Sequence, residues 1–165
     1  GKSTLVRYLI TQSFTEDFKI PVKVELRYLN DYNSSLRSYI SNEIIKLNSV
    51  GFEDNIINRL FERGTFLFVL DGYDEISSTK KERVTQEIDA FVSRYPQNIF
   101  LLTSRPNTNI EFLPAFTNYR VCDLTLDEVK EFVAKQLPAS ESELADKIIE
   151  AIESPDSKSS LKNAG

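Results

Sequence analysis

The chain of 165 residues is predicted to be an α/β protein, and three observations carry that prediction. Segments with apolar residues three and four apart alternate along the chain with extended apolar segments. Two of the extended segments, Phe66–Leu70 and Ile99–Leu102, are unbroken apolar runs, as expected of parallel strands covered by helices on both faces. Both runs stop abruptly in polar turns, at the carboxyl ends of strands where open α/β sheets bind their ligands.

Taken in order, Leu5, Val6, Leu9 and Ile10 form one face of a helix from about Ser3 to Ser13. Val22–Tyr28 alternates strictly between apolar and polar residues, which marks a strand with one wetter face near a sheet edge, and Pro21 at its start agrees. A second helix carries Leu36, Ile40, Ile44 and Leu47, and a short third carries Ile56, Ile57, Leu60 and Phe61, with Gly64 where a C-terminal cap would stand. The strands from Phe66 and Ile99 are expected to be central. A last strand, Tyr119–Leu124, alternates loosely, belongs nearer an edge, and would bury Cys122 as a small apolar side chain. Three further helices are announced by capping boxes at Thr79/Glu82, Thr125/Glu128 and Ser140/Glu143, where a hydroxyl takes a free N–H and the glutamate bonds back. Each is amphipathic and is expected to pack on one face. The tail from Ser154 to Gly165 reads as a loop or a cut end.

Composition narrows the function. The chain is 41% apolar and 27% charged, and 20 basic against 25 acidic residues leave a net charge of -5. At this length roughly 68–70% of the unfolded surface can be buried, so no disulfide or metal is needed to hold a core. There is no histidine and one cysteine, which excludes a Ser-His-Asp triad, a thiolate-rich zinc site and an internal disulfide, and suits a reducing cytoplasm. No apolar stretch approaches the roughly 20 residues of a membrane-spanning helix, so no membrane partner is expected. The acidic total and the lack of a basic stripe argue against direct nucleic-acid binding. With no methionine and an opening on Gly1-Lys2-Ser3-Thr4, the chain reads as a fragment.

That opening matches the second half of G-x-x-x-x-G-K-[ST], a phosphate-binding loop, directly before a helical face. Glycine lets the backbone approach phosphate, the first helical N–H groups have no partner, lysine reaches the outer phosphates, and serine completes a magnesium shell. The alternative is an ordinary turn before a surface helix. The turn after Leu70 places Asp71, Asp74 and Glu75 within five residues. Two carboxylates about 4 Å apart repel by roughly 4 kcal/mol at an effective dielectric near 20, so such a cluster asks for a cation or for solvent. Asp71 would hold magnesium or its water, and Asp74 or Glu75 would orient and deprotonate an attacking water. Arg105, at the end of the next strand, would read a γ-phosphate; its alternative is a surface salt bridge to the acidic loop.

Together, Gly1-Lys2-Ser3-Thr4-Leu5, the segment Pro21–Arg27, Phe68-Val69-Leu70-Asp71-Gly72-Tyr73-Asp74-Glu75 and Leu102-Thr103-Ser104-Arg105-Pro106 resemble the NACHT family of signal-transduction ATPases, in that family's order. The group includes innate-immune nucleotide-binding receptors and bacterial anti-phage relatives. The resemblance implies a three-layer α/β/α P-loop NTPase core over residues 1–124, with sheet order 5-1-4-3-2 and its first strand missing, followed by the start of a helical accessory region over 125–165. The missing strand would leave inner sheet edges unpaired. It further implies ATP or ADP with magnesium as ligands, Gly1, Lys2, Ser3 and Thr4 on phosphate, Ser3 and Asp71 on the metal, Asp74 and Glu75 on water, and Arg105 as γ-phosphate sensor. The expected activity is a cytoplasmic, nucleotide-gated switch that controls self-oligomerisation in defence. A scaffold that holds nucleotide without turnover is the alternative; a GTPase would lack its Asn-Lys-x-Asp guanine motif.

Overall fold

The computed structural model of the chain describes residues 2–16, 18–46, 53–106, 108, 113–137 and 141–153. Three parallel strands, β1 (Ile20–Glu25), β2 (Phe66–Asp71) and β3 (Ile99–Leu102), form a sheet in the order β1-β2-β3. The register aligns Glu25 with Asp71 and Leu70 with Leu102. Among the described residues six α-helices accompany them: α1 (Lys2–Thr15), α2 (Leu36–Tyr39, continued as a π-helix over Ile40–Lys46), α3 (Asp54–Glu62), α4 (Ser78–Arg94), α5 (Leu126–Gln136) and α6 (Ser142–Glu153). The chain divides into two units, residues 1–119 and 120–165.

In the first unit β2 is the middle strand, and Phe66–Leu70 are all buried. Because alternate side chains face opposite ways, Phe66, Phe68 and Leu70 meet Ile57 and Phe61 of α3 and Val84, Ile88 and Phe91 of α4. Leu67 and Val69 point to the other face and meet Val6 of α1. The sheet is thus covered by α1 on one side and by α2 to α4 on the other, as an α/β layer protein requires. Phe61 is the hub, with ring centroids of Phe66, Phe68, Phe91 and Tyr95 between 5.2 and 5.6 Å away. Tilted and edge-on rings at such distances add attraction beyond the area they bury.

Several expected boundaries move. The first strand ends at Glu25 instead of continuing to Tyr28, and Leu26–Asn30 forms a 3₁₀ turn. Three residues per turn put Leu26 and Leu29 on one side, and both are fully buried. An extended continuation would have buried Tyr28 instead. In the second helix the π winding brings Ile40 and Ile45, five apart, into the core; Leu47 lies outside the described residues. Helix α4 begins at Ser78 after the N-cap Ser77, so Thr79 is inside the first turn and forms no capping box with Glu82. β3 pairs only with β2 among the described residues and is part exposed, which makes it an edge here.

Tyr119–Leu124 is not a strand. A strand needs a neighbour's ladder of amides and carbonyls, and among the described residues nothing pairs with this segment, where Tyr119 is 89% exposed. Cys122 is accordingly exposed, contrary to its expected burial. In the second unit α5 and α6 pack on each other and leave Phe132 and Leu144 exposed. Thr125 and Glu128 close the expected capping box at the start of α5. Ser140 and the tail from Ser154 lie outside the described residues.

Two local devices hold the sheet to its helices. Gly64, at φ +70°, closes α3 with the paired Thr65 N–H to Leu60 O and Gly64 N–H to Phe61 O bonds of a Schellman motif. A Cβ there would meet the Gln97 carbonyl oxygen at 2.3 Å. Asn98, buried just before β3, accepts from the Phe66 N–H at 3.1 Å and donates to the carbonyls of Phe61 at 2.7 Å and Tyr95 at 3.0 Å. Replacing it by leucine strands the Phe66 amide, whereas the Phe61 carbonyl keeps the Gly64 N–H. Asn98→Leu is therefore expected to cost about 1–3 kcal/mol, read as a lower denaturation midpoint in urea.

Candidate functional site

The site begins where the buried run of β2 stops. Asp71 is the first residue of the strand that solvent reaches, and Gly72 turns the chain with φ +82°. A Cβ at Gly72 would press on the Glu75 side chain at 3.1 Å in a conformation that side chains avoid. The turn continues as a single 3₁₀ turn over Tyr73–Glu75, anchored by buried Tyr73. Tyr73 shares a hydrogen bond of 2.8 Å with the Thr85 hydroxyl. The Lys81 ammonium donates to the Tyr73 carbonyl at 2.7 Å and stands 3.9 Å from its ring centroid. Burial lowers the Lys81 pKa, against the opposing charge of Asp74.

Thr103 binds this turn to β3. Its N–H donates to Leu70 O and its carbonyl accepts from the Tyr73 N–H, both at 2.9 Å. Its hydroxyl donates to Asp71 Oδ1 at 2.6 Å and accepts from the Gly72 N–H at 3.1 Å. One threonine thereby sets both the carboxylate's rotamer and the course of the loop. Two residues on, the Arg105 N–H donates to Asp74 Oδ1 at 2.9 Å and its Nε lies 3.3 Å from Asp74 Oδ2. The Asp74 side chain is only 13% exposed, whereas that of Arg105 is 79% exposed and can leave the contact. The salt-bridge reading of Arg105 is the contact seen. Pairs this exposed contribute little to stability.

The other oxygen of Asp71 faces β1. Asp71 Oδ2 lies 3.3 Å from Lys23 Nζ, which is 3.1 Å from Glu25 Oε1, and Arg27 Nη2 lies 2.5 Å from Glu25 Oε2. Charges thus alternate along the row Arg27, Glu25, Lys23, Asp71. Burial pulls the Lys23 pKa down, but hydrogen bonds to Glu25 and Asp71 outweigh it and leave the ammonium raised. The hydrogen bond from Lys23, against some desolvation, holds the Glu25 carboxyl below its ordinary value.

Asp71, Asp74, Glu75 and Arg105 therefore gather at the carboxyl ends of β2 and β3. Lys2, Ser3 and Thr4 form the first turn of α1, with Ser3 and Thr4 exposed; Gly1 lies outside the described residues. α1 runs antiparallel to the strands, because Leu9 and Ser13 in its later turns line a groove of about 480 Å³ with Leu67 and Ile99 at the strand starts. Its 14 residues span about 21 Å, close to the length of β2, so its first turn is directed toward the Asp71 end. Asp71 also shares a sheet face with Leu67 and Val69, on which α1 packs.

Among the described residues no group of three or more His, Cys, Asp or Glu side chains could hold a metal by itself. Magnesium asks for less, since it keeps several waters and takes one or two carboxylates beside phosphate oxygens. The oxygen donors of Asp71 and of the Ser3 hydroxyl suit that ion, and a cation, the Lys23 ammonium, already stands at Asp71 Oδ2.

Three contributors escaped the sequence reading: Thr103, Lys23 and Lys81. A hydroxyl directly after an apolar strand was a signal for the first. The other two depend on register and on a helix folding back, which periodicity does not contain. Thr103→Val is expected to cost about 1–3 kcal/mol because the buried Gly72 amide loses its partner, with Thr103→Ser close to the parent in chemical denaturation. Glu25 stabilises the fold above its ordinary pKa of 4.5, and that contribution fades as pH falls through its lowered folded value. Glu25→Gln should thus flatten the acid side of a stability-versus-pH curve below about pH 4.5 and leave little change in slope above pH 6.

No curated protein and no solved structure gave a significant match to the chain. The NACHT domain family model matches residues 1–140. The polar turns that end β2 and β3 and the opening turn of α1 all fall within that match, and the chain belongs to the NACHT domain family, whose members are nucleotide-binding modules on the P-loop NTPase fold.

Proposed function

We propose that this NACHT domain is the ATP-binding and ATP-hydrolysing part of a switch that controls self-oligomerisation. The observation that carries the reading is the junction at Thr103, which draws Asp71, Asp74 and Arg105 from two strands to one mouth. In this reading Gly1, Lys2, Ser3 and Thr4 cradle the phosphates with the free amides of the first turn of α1. Ser3 and Asp71 would hold magnesium, which when bound would offset the negative charge of the phosphates. Glu75, the exposed carboxylate of the turn, accepts the proton of an attacking water, and Asp74 orients that water. Arg105 exchanges Asp74 for a γ-phosphate. A nucleotide shifts a conformational equilibrium only by the difference in its affinity for the two states, and the exposed Arg105 side chain supplies such a difference.

The reading also takes the observed β1-β2-β3 as strands 2, 3 and 4 of the family order 5-1-4-3-2, with residues 1–124 as NTPase core and 125–165 as the start of a helical accessory region. A cytoplasmic defence role follows from the family's known members. No helix among the described residues is long and apolar enough to cross a membrane. One contact favours a second reading, a scaffold that binds nucleotide without turnover: both oxygens of Asp74 are engaged by Arg105.

Titration of the purified protein with a fluorescent ATP analogue, beside an assay of phosphate release, separates these readings. Lys2→Ala is expected to weaken binding at least about 10-fold, since lysine supplies a full charge-assisted contact to phosphate. Glu75→Gln is expected to bind normally and to release phosphate about 100-fold more slowly. Unchanged release in Glu75→Gln rejects the enzymatic reading in favour of the scaffold, and no binding by the parent protein rejects both.

A further inference from the structure

We propose that Lys23 is a tethered counter-cation for Asp71, which neutralises the carboxylate while no divalent cation is present and must move to Glu25 when one arrives. The inference rests on the assignment of Asp71 to the cation in the function proposed above.

The register creates the need for it. Glu25 and Asp71 are direct partners on neighbouring parallel strands, and like charges opposite one another destabilise a sheet. Lys23, two residues before Glu25, shares its sheet face and reaches both carboxylates, at 3.1 Å to Glu25 Oε1 and 3.3 Å to Asp71 Oδ2. The protein thus meets the repulsion with its own charge.

The two oxygens of Asp71 are not equivalent. Oδ1 is held by the buried Thr103 hydroxyl, which also serves the Gly72 amide, so it is fixed with the turn. Oδ2 faces, among the described residues, a lysine whose side chain is 40% exposed. Exchange at Asp71 therefore occurs at Oδ2. An ammonium on a flexible four-carbon stem, with three donors and no fixed fork, leaves such a site by side-chain rotation alone. Glu25 is next to it and already paired with Arg27, so Lys23 keeps a carboxylate partner after it gives up Asp71.

The consequence is a threshold. A dication at Asp71 meets the positive charge of Lys23 a few ångströms away, and part of its binding is spent on displacing that charge. Lys23 then sets the concentration of divalent cation that the site needs. A lysine kept only to support the sheet would lower affinity when lost; a counter-cation raises it.

The experiment uses manganese as a spectroscopic probe, titrated by electron paramagnetic resonance without nucleotide, and magnesium titrated against a non-hydrolysable ATP analogue, with an EDTA control. Lys23→Gln is expected to lower the half-saturating cation concentration about 3–10-fold in both titrations, the scale of one unit charge removed at a partly exposed site. Lys23→Arg should restore the parent value, and the gain should vanish in Lys23→Gln/Asp71→Asn. Circular dichroism of each variant guards against misfolding, and Lys23→Met repeats the test should the glutamine variant fail to fold. The inference is overturned if neutral Lys23 variants need as much cation as the parent or more, if the gain survives in the Asp71→Asn background, or if no form binds manganese. An analogue that fails to bind the parent at any magnesium concentration instead overturns the nucleotide reading, while the manganese titration still decides the role of Lys23.

Discussion

Phe66 through Leu70 are buried on both faces of the sheet, so the chain's first solvent-accessible polar group after that run emerges at one defined point, Asp71. Everything at the site follows from how that point is held. Thr103 holds it by using its amide, carbonyl and hydroxyl on three residues of the neighbouring turn and on the carboxylate itself. Unpaired, the buried amide of Gly72 would oppose the turn. Paired, it makes the end of β2 and the end of β3 one rigid unit, and rigid elements aim catalytic and binding groups better than free loops do.

The second constraint is charge. A parallel sheet that ends in Glu25 beside Asp71, with Asp74 and Glu75 one turn away, concentrates negative charge on a small area. The structure answers with one cation for each of three carboxylates: Arg27 on Glu25, Lys23 between Glu25 and Asp71, and Arg105 on Asp74. These partners are at least two-fifths exposed, which keeps desolvation cost low and lets them exchange. Glu75, exposed beyond them, has its backbone carbonyl held by the Asn30 side chain at 3.1 Å. A site whose counter-charges come from mobile side chains suits a ligand that brings its own phosphates and metal.

The sequence reading and the structure part company where period and packing disagree. The alternation of Val22–Tyr28 is true of its first half; from Leu26 the core offers space to residues three apart, and the chain winds accordingly. Tyr119–Leu124 has a strand's composition and lies unpaired, because alternation describes faces and says nothing of a neighbour. Thr79 and Glu82 have the spacing of a capping box, yet the N-cap of α4 is Ser77, two residues earlier, and the box has no terminus to cap. Thr125 and Glu128 have the same spacing at a true terminus and close it.

By itself the sequence determined what short-range geometry controls: the buried strand β2 from its unbroken apolar run, the end of α3 from Gly64, the start of α5 from its capping box, and the family from four motifs in order. Those signals survive because each is set by residues within a turn or two of one another. The tertiary structure decided which oxygen of Asp71 is tied to Thr103, 32 residues away, and which faces Lys23 across the sheet. Such pairings depend on the register of strands joined by long crossovers. Register is chosen by the sum of core contacts on both faces, a quantity no local stretch of residues contains.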